Sequence, residues 1–210
     1  MASSAALIVT LLIVARPLAA APLRLVPGRE TADQLAAMVV GTLALGQALD
    51  SATLLAGLAN RGAMAVIRRA IEGAAGPDLF AAVVVIGVLA GSAEEVFFRG
   101  YMQTRLRERW PAATAVVVTS VAFGLLHLEW IHATLALGLG LWLGFVTERA
   151  GSALPAVTAH VINNTVFTLL TATVGTPQDR TLNMALLTGS AVIFFGCALW
   201  VWRGPRVATQ

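Results

Sequence analysis

Two adjacent carboxylates and a guanidinium, Glu94, Glu95 and Arg99, follow the run LFAAVVVIGVLA, which is apolar enough to lie inside a lipid bilayer. Two more apolar runs each carry an imidazole. VVVTSVAFGLLH ends on His127, and ALPAVTAHVINNTVFTLL holds His160, with Asn164 four residues further along the same helical face. An ionised side chain at mid-membrane costs about 2.5 to 3.5 kcal/mol on insertion scales, so such residues face a bundle interior and serve a purpose. On a helix Glu95 and Arg99 stand four apart, acid first, and can pair along one face. Glu94 is turned by about 100° from Glu95, has Phe98 at its own i+4 position, and is left as the free carboxylate. Carboxylate, imidazole and amide groups are those that move protons and stabilise an oxyanion. The plainer reading is that Glu95 and Arg99 only lock two helices together and that each histidine is a packing residue. It accounts for the pair, but not for a carboxylate doublet joined by two histidines and an asparagine.

The elements that must position these groups follow from composition. The chain has 210 residues, 58% hydrophobic and 12% charged, with a mean hydropathy of +0.80, which exceeds the apolar content of an ordinary soluble domain. An integral membrane protein is expected. All basic residues are arginine, and a net charge of +3 is too small and scattered for a nucleic-acid surface. The lone Cys197 excludes an internal disulfide and a cysteine metal cluster.

Apolar runs near the roughly 20 residues a membrane helix needs fall at 5 to 26, 35 to 58, 79 to 98, 112 to 128, 131 to 147, 154 to 174 and 183 to 202. The fold expected is all-α: a polytopic transmembrane helical bundle of about seven spans with a buried polar active site. Arg16 and Pro17 interrupt the first run. Residues 60 to 78 read as a short amphipathic helix at the interface, ended by Gly76-Pro77-Asp78, which starts the next helix. The chain divides into N-terminal spans with the interfacial segment (1–78), a core (79–174) and a C-terminal span and tail (175–210), within one compact membrane domain. With seven spans, Arg24, Arg29, Arg99, Arg105, Arg107, Arg109, Arg149, Arg203 and Arg206 fall on one side and Arg61, Arg68, Arg69 and Arg180 on the other. The richer side is expected to be cytoplasmic, and the C-terminus with it.

The spacing also suggests a meeting point. Pro111 is the natural turn between two helices, with Glu95 sixteen residues before it and His127 sixteen after. If helix runs through MQTRLRERW to that turn, both lie about 24 Å from it, facing each other across a hairpin.

In this order, EExxxR (Glu94, Glu95, Arg99), FxxxH (Phe123, His127) and HxxxN (His160, Asn164) resemble the CPBP family, the CAAX-protease and bacteriocin-processing (Abi) intramembrane proteases; Gly100 after the arginine also fits. The resemblance covers about 79 to 174 and implies an intramembrane endopeptidase. It implies that Glu94 with His127 positions and deprotonates an attacking water, that His160 and Asn164 stabilise the oxyanion, that Glu95 and Arg99 brace the site, and that Phe123 packs beside His127. Glu94, His127 and His160 would also suit zinc. Both a metal-dependent and a metal-free, glutamate-dependent mechanism stay open, and the absence of HExxH favours the metal-free one. A membrane-associated peptide or protein is the expected substrate, with the lipid bilayer as surroundings and no nucleic-acid partner. An arginine-only basic set suggests a prokaryotic inner membrane, where a prenylated substrate is not expected. The alternatives are a non-catalytic membrane partner or immunity protein and a proton-coupled transporter, though neither internal repeats nor broken helices support the latter.

Other polar residues have plainer readings. His132, in LEWIH between spans, is expected at the interface near an aromatic anchor. Gln47 and Asp50 are an intramembrane polar pair outside every motif, expected to join helices by hydrogen bonds, with lining of the substrate route as the alternative. Asn163 points about 100° away from Asn164 and is a second-choice ligand.

Overall fold

The computed structural model describes residues 6, 7, 9, 10, 12, 13 and 19–204. Within the expected first span, 5 to 26, residues 5, 8, 11 and 14–18 lie outside the described residues, as does Arg206; residues 19–26 are turn and irregular chain, so no helix extends to 26. Among the described residues the protein is all-helical, with seven helices and no strand.

Helix α1, Ala32–Leu55, starts at Thr31, whose hydroxyl accepts the Gln34 N–H while the Gln34 side chain accepts the Thr31 N–H, a reciprocal cap. The expected interfacial helix is α2, Gly62–Ile71. Helix α3 then runs unbroken over Gly76–Arg107, with proline tolerated in its first turn. Two π-wound stretches, Val83–Ala90 and Val96–Gln103, bracket the α-helical turn Gly91–Glu95 that carries the carboxylate doublet. Pro111 turns the chain into α4, Ala112–Leu125. Glu129 caps α5, Trp130–Ala150, by accepting the Ile131 and His132 N–H groups. Gly151 ends α5 at a φ of 70°, where a side chain would be strained. Helices α6, Leu154–Thr173, and α7, Arg180–Arg203, follow.

Four of these helices, α1, α3, α5 and α7, are long and apolar enough to cross a membrane. Helix α4 is apolar but has only 14 residues, and α6 has 20 and carries His160, Asn163 and Asn164. Six of the seven expected spans therefore correspond to described helices, and the bundle of about seven spans stands. Helix α4 stops at Leu125, short of the expected 128. Leu128 adopts a left-handed φ of 56°, which an interior helical residue does not.

Helix α1 packs along α7, α4 along α5, and α6 against both α1 and α3. Met38, Trp142, Leu143, Val146 and Val201 fill the core on the α1–α5–α7 side, where the Trp142 indole donates to the Thr42 hydroxyl at 2.9 Å. One end of the bundle gathers the arginine-rich segments around Glu148, which accepts from Arg24 at 2.9 Å, Gln103 at 3.0 Å and Arg107 at 3.0 Å. Arg99 is a correction to the border set of arginines. It is completely buried, because its partners lie inside the bundle.

Candidate active site

The EExxxR turn faces α6 because small residues let the two helices touch. A Cβ on Gly91 would sit 3.4 Å from the Val161 Cα, and one on Gly87 would sit 2.5 Å from the Thr165 hydroxyl. This close antiparallel contact brings the doublet beside His160. Nδ1 of His160 lies 2.8 Å from Glu95 Oε1, and its Nε2 lies 3.9 Å from Glu94 Oε2. His160 is thus seated between the two carboxylates.

Glu95 Oε1 also accepts from Arg99 Nη1 at 3.0 Å, and Arg99 Nη2 donates to the Gly140 carbonyl at 3.0 Å. The Glu95–Arg99 pair is completely buried, and the guanidinium stacks 4.7 Å over the Phe123 ring. The sequence-expected i, i+4 pair is present. Its contacts to α5 and to Phe123 are additional. Phe123 presents ring contacts to His127 at 5.1 Å and to His160 at 6.0 Å, so it wedges the two imidazoles apart.

His127 does not sit on a helix. It lies in the link after α4, and its Nδ1 is 2.9 Å from the Phe123 carbonyl. A carbonyl only accepts, so Nδ1 carries the proton and Nε2 is the nitrogen left for other work. Asn164 Nδ2 donates at 3.3 Å to the carbonyl of Ile86, within the first π-wound stretch, and its Oδ1 accepts from Asn163 Nδ2 at 3.3 Å. π-wound turns inside helices recur at functional sites. Here one of them supplies the anchor for Asn164.

Glu94, His127, His160 and Asn164 all border one cavity of about 860 Å³ whose wall is mostly apolar, with Phe123 beside them. Glu95 and Arg99 lie behind it. The size suits a peptide segment or small ligand. The structure thus gathers all seven sequence-expected residues in one region, with Glu94, His127, His160 and Asn164 facing the cavity and Glu95 and Arg99 supporting His160.

Three features escaped the sequence reading. His132, placed there at the interface, borders the same cavity with its ring 4.0 Å from that of His127. Asp50 joins two helices as expected, but through a partner the spacing did not name, Arg68 of α2; Gln47 donates to Ser51 of its own helix at 3.0 Å, and both Gln47 and Asp50 also border the cavity. Asn163 is buried, borders the cavity and holds the Asn164 amide. Helical spacing gave the face of each residue, but not which neighbouring helix would meet it.

The donor set was also tested against a metal. His160 has both ring nitrogens turned to carboxylates and His127 has Nδ1 committed to a main-chain carbonyl. Among the described residues no three histidine, cysteine, aspartate or glutamate side chains converge as a metal site.

Residues 76–166 match the family model described as Type II CAAX prenyl endopeptidase Rce1-like. No curated protein and no solved structure matches the chain. The matched segment contains the doublet, both cavity histidines of the motifs and Asn164, on apolar helices. Through that segment the chain is similar to the CAAX protease family, and the match supports that family for residues 76–166.

Proposed function

We propose that the protein is an intramembrane endopeptidase that hydrolyses a peptide bond at or within the membrane by direct attack of water, without a metal. The observation that carries this reading is the common wall: a free carboxylate, two imidazoles and an amide border one cavity of about 860 Å³.

A water held there donates one hydrogen bond to His127 Nε2 and the other to Glu94. As its oxygen bonds to the scissile carbonyl carbon, Glu94 takes the proton and the carbonyl π pair moves onto oxygen. The resulting oxyanion accepts from Nε2–H of His160, whose charge Glu95 balances through Nδ1, and from the second Nδ2–H of Asn164. Collapse re-forms the carbonyl and breaks the C–N bond, and the leaving amine takes the proton from Glu94. The Glu95 carboxylate bridges Arg99 and His160 through one oxygen, so the guanidinium fixes the anion that holds His160.

The substrate in this reading is a membrane-associated peptide or protein, met in a prokaryotic inner membrane with the C-terminus and the arginine-rich end in the cytoplasm. The experiment is cleavage of membrane-anchored peptide libraries by the protein in liposomes, read by mass spectrometry with and without a zinc chelator. Cleavage that survives chelation is expected. Loss on chelation with recovery on adding zinc overturns the metal-free mechanism, and flux or partner binding without cleavage overturns the protease reading.

A further inference from the structure

His127 carries a burden that the other site residues do not. Glu94 and Glu95 sit inside α3, and His160 and Asn164 inside α6, so their backbones are fixed by helical hydrogen bonds. His127 lies past the end of α4 in the link Leu126 to Glu129, next to Leu128, which has a left-handed φ of 56° and is 93% exposed. Its backbone N–H reaches only back to the Gly124 carbonyl at 3.1 Å. The ring must therefore be held by side-chain contacts. The Phe123 carbonyl fixes one nitrogen, at 2.9 Å, and the Phe123 ring stands edge-on at 5.1 Å. Both contacts come from α4 alone.

His132 adds a contact from α5. Its ring centroid is 4.0 Å from that of His127, with the planes inclined by 55°. Its own placement is firm, since its backbone N–H donates at 3.0 Å to Glu129, which caps α5. Among the described residues its ring nitrogens have no hydrogen-bond partner in the protein, so contact with the neighbouring ring is what the side chain supplies.

We propose that His132 is a positioning residue: its ring and the Phe123 ring together hold the His127 ring, keeping Nδ1 on the Phe123 carbonyl and Nε2 turned to the cavity. The kinetic consequence rests on the proposed hydrolysis; the geometric one does not. A misplacement of about 1 Å in a catalytic group can cost about 100-fold in rate. Substrate binding along the apolar wall is not touched by the clamp.

The test uses His132→Ala, which removes the ring, and His132→Phe, which keeps a flat ring without nitrogen. With three histidines in the chain, the ring-nitrogen signals in ¹⁵N NMR of the full-length protein in lipid nanodiscs are assignable by substitution. In wild type and His132→Phe, His127 should show one tautomer, protonated on Nδ1. In His132→Ala it should show both. In the cleavage assay kcat should fall about 10-fold to 100-fold in His132→Ala with KM unchanged, and His132→Phe should restore most of it. An unchanged His127 signal in His132→Ala overturns the proposal whether or not cleavage is found. So does a rise in KM at constant kcat, or a loss that His132→Phe does not rescue. Should His132→Ala fail to fold, His132→Leu, bulky but not flat, takes its place with the same expected outcomes. A Glu94→Gln control that retains turnover counts against the hydrolytic role of Glu94 and leaves the NMR result to judge the clamp.

Discussion

Arg99 shows how a single side chain holds this site. It is completely buried, donates to Glu95 and to the Gly140 carbonyl at 3.0 Å each, and lies over Phe123. A buried pair of this kind adds little beyond what an apolar replacement of both partners would. Removing one partner is different, because it strands the other as an uncompensated charge at about 3 to 5 kcal/mol. Arg99→Met should therefore lower unfolding stability in detergent by about that amount, and a midpoint equal to wild type would contradict the brace. The Glu95–Arg99 pair was legible in the sequence, since it depends only on a four-residue spacing along one helix. The contacts to Gly140 and Phe123 were not, because they come from α5 and α4, whose registers against α3 no local pattern specifies. The same distinction applies to Asp50, legible as an intramembrane polar residue that joins helices, though its partner Arg68 on α2 was not.

At the level of elements, the helices were legible from length and apolarity, but two of their features were not. Leu126 and Leu128 are as apolar as the helix before them, so nothing in composition announces that α4 ends at Leu125. With that end misplaced, the proximity of His132 to His127 stayed hidden. The π winding of α3 likewise leaves no mark in hydropathy. The start of α5 makes its own prediction. The Glu129 carboxylate is held below its ordinary range, chiefly by the Ile131 N–H, with burial opposing and the His132 and Ala63 N–H groups adding to the effect. A carboxylate lowered on folding contributes stability that is full above its unfolded pKa, near 4.3, and is lost as pH falls through the lower folded value. Protection of the Ile131 and His132 amides from hydrogen exchange should therefore drop below about pH 4 in wild type and not in Glu129→Gln. Parallel pH profiles for the two proteins would show that the cap does not titrate as described.

For the whole molecule, the informative fact is convergence. Residues 94 to 164 supply the groups proposed to react, yet the cavity wall also takes Gln47 and Asp50 from α1 and Ile67 and Arg68 from α2, segments without any motif. The amphipathic α2 thus turns apolar residues to the cavity as well as lying at the bundle's edge. Sequence spacing set Glu95 and His127 at one height across a hairpin turned at Pro111; the hairpin of α3 and α4 is present, but α3 stops at Arg107 and His127 lies past the end of α4 at Leu125. Spacing could not foretell the room between them. The central claim is a division of labour in this hollow, with Glu94 reacting and Glu95 supporting. Single-turnover cleavage and the unfolding midpoint, measured together for Glu94→Gln and Glu95→Gln in liposomes, test it most directly. Glu94→Gln should lose about 100-fold to 10,000-fold in rate with its midpoint unchanged, while Glu95→Gln should lower the midpoint; cleavage by Glu94→Gln at the wild-type rate would contradict the account.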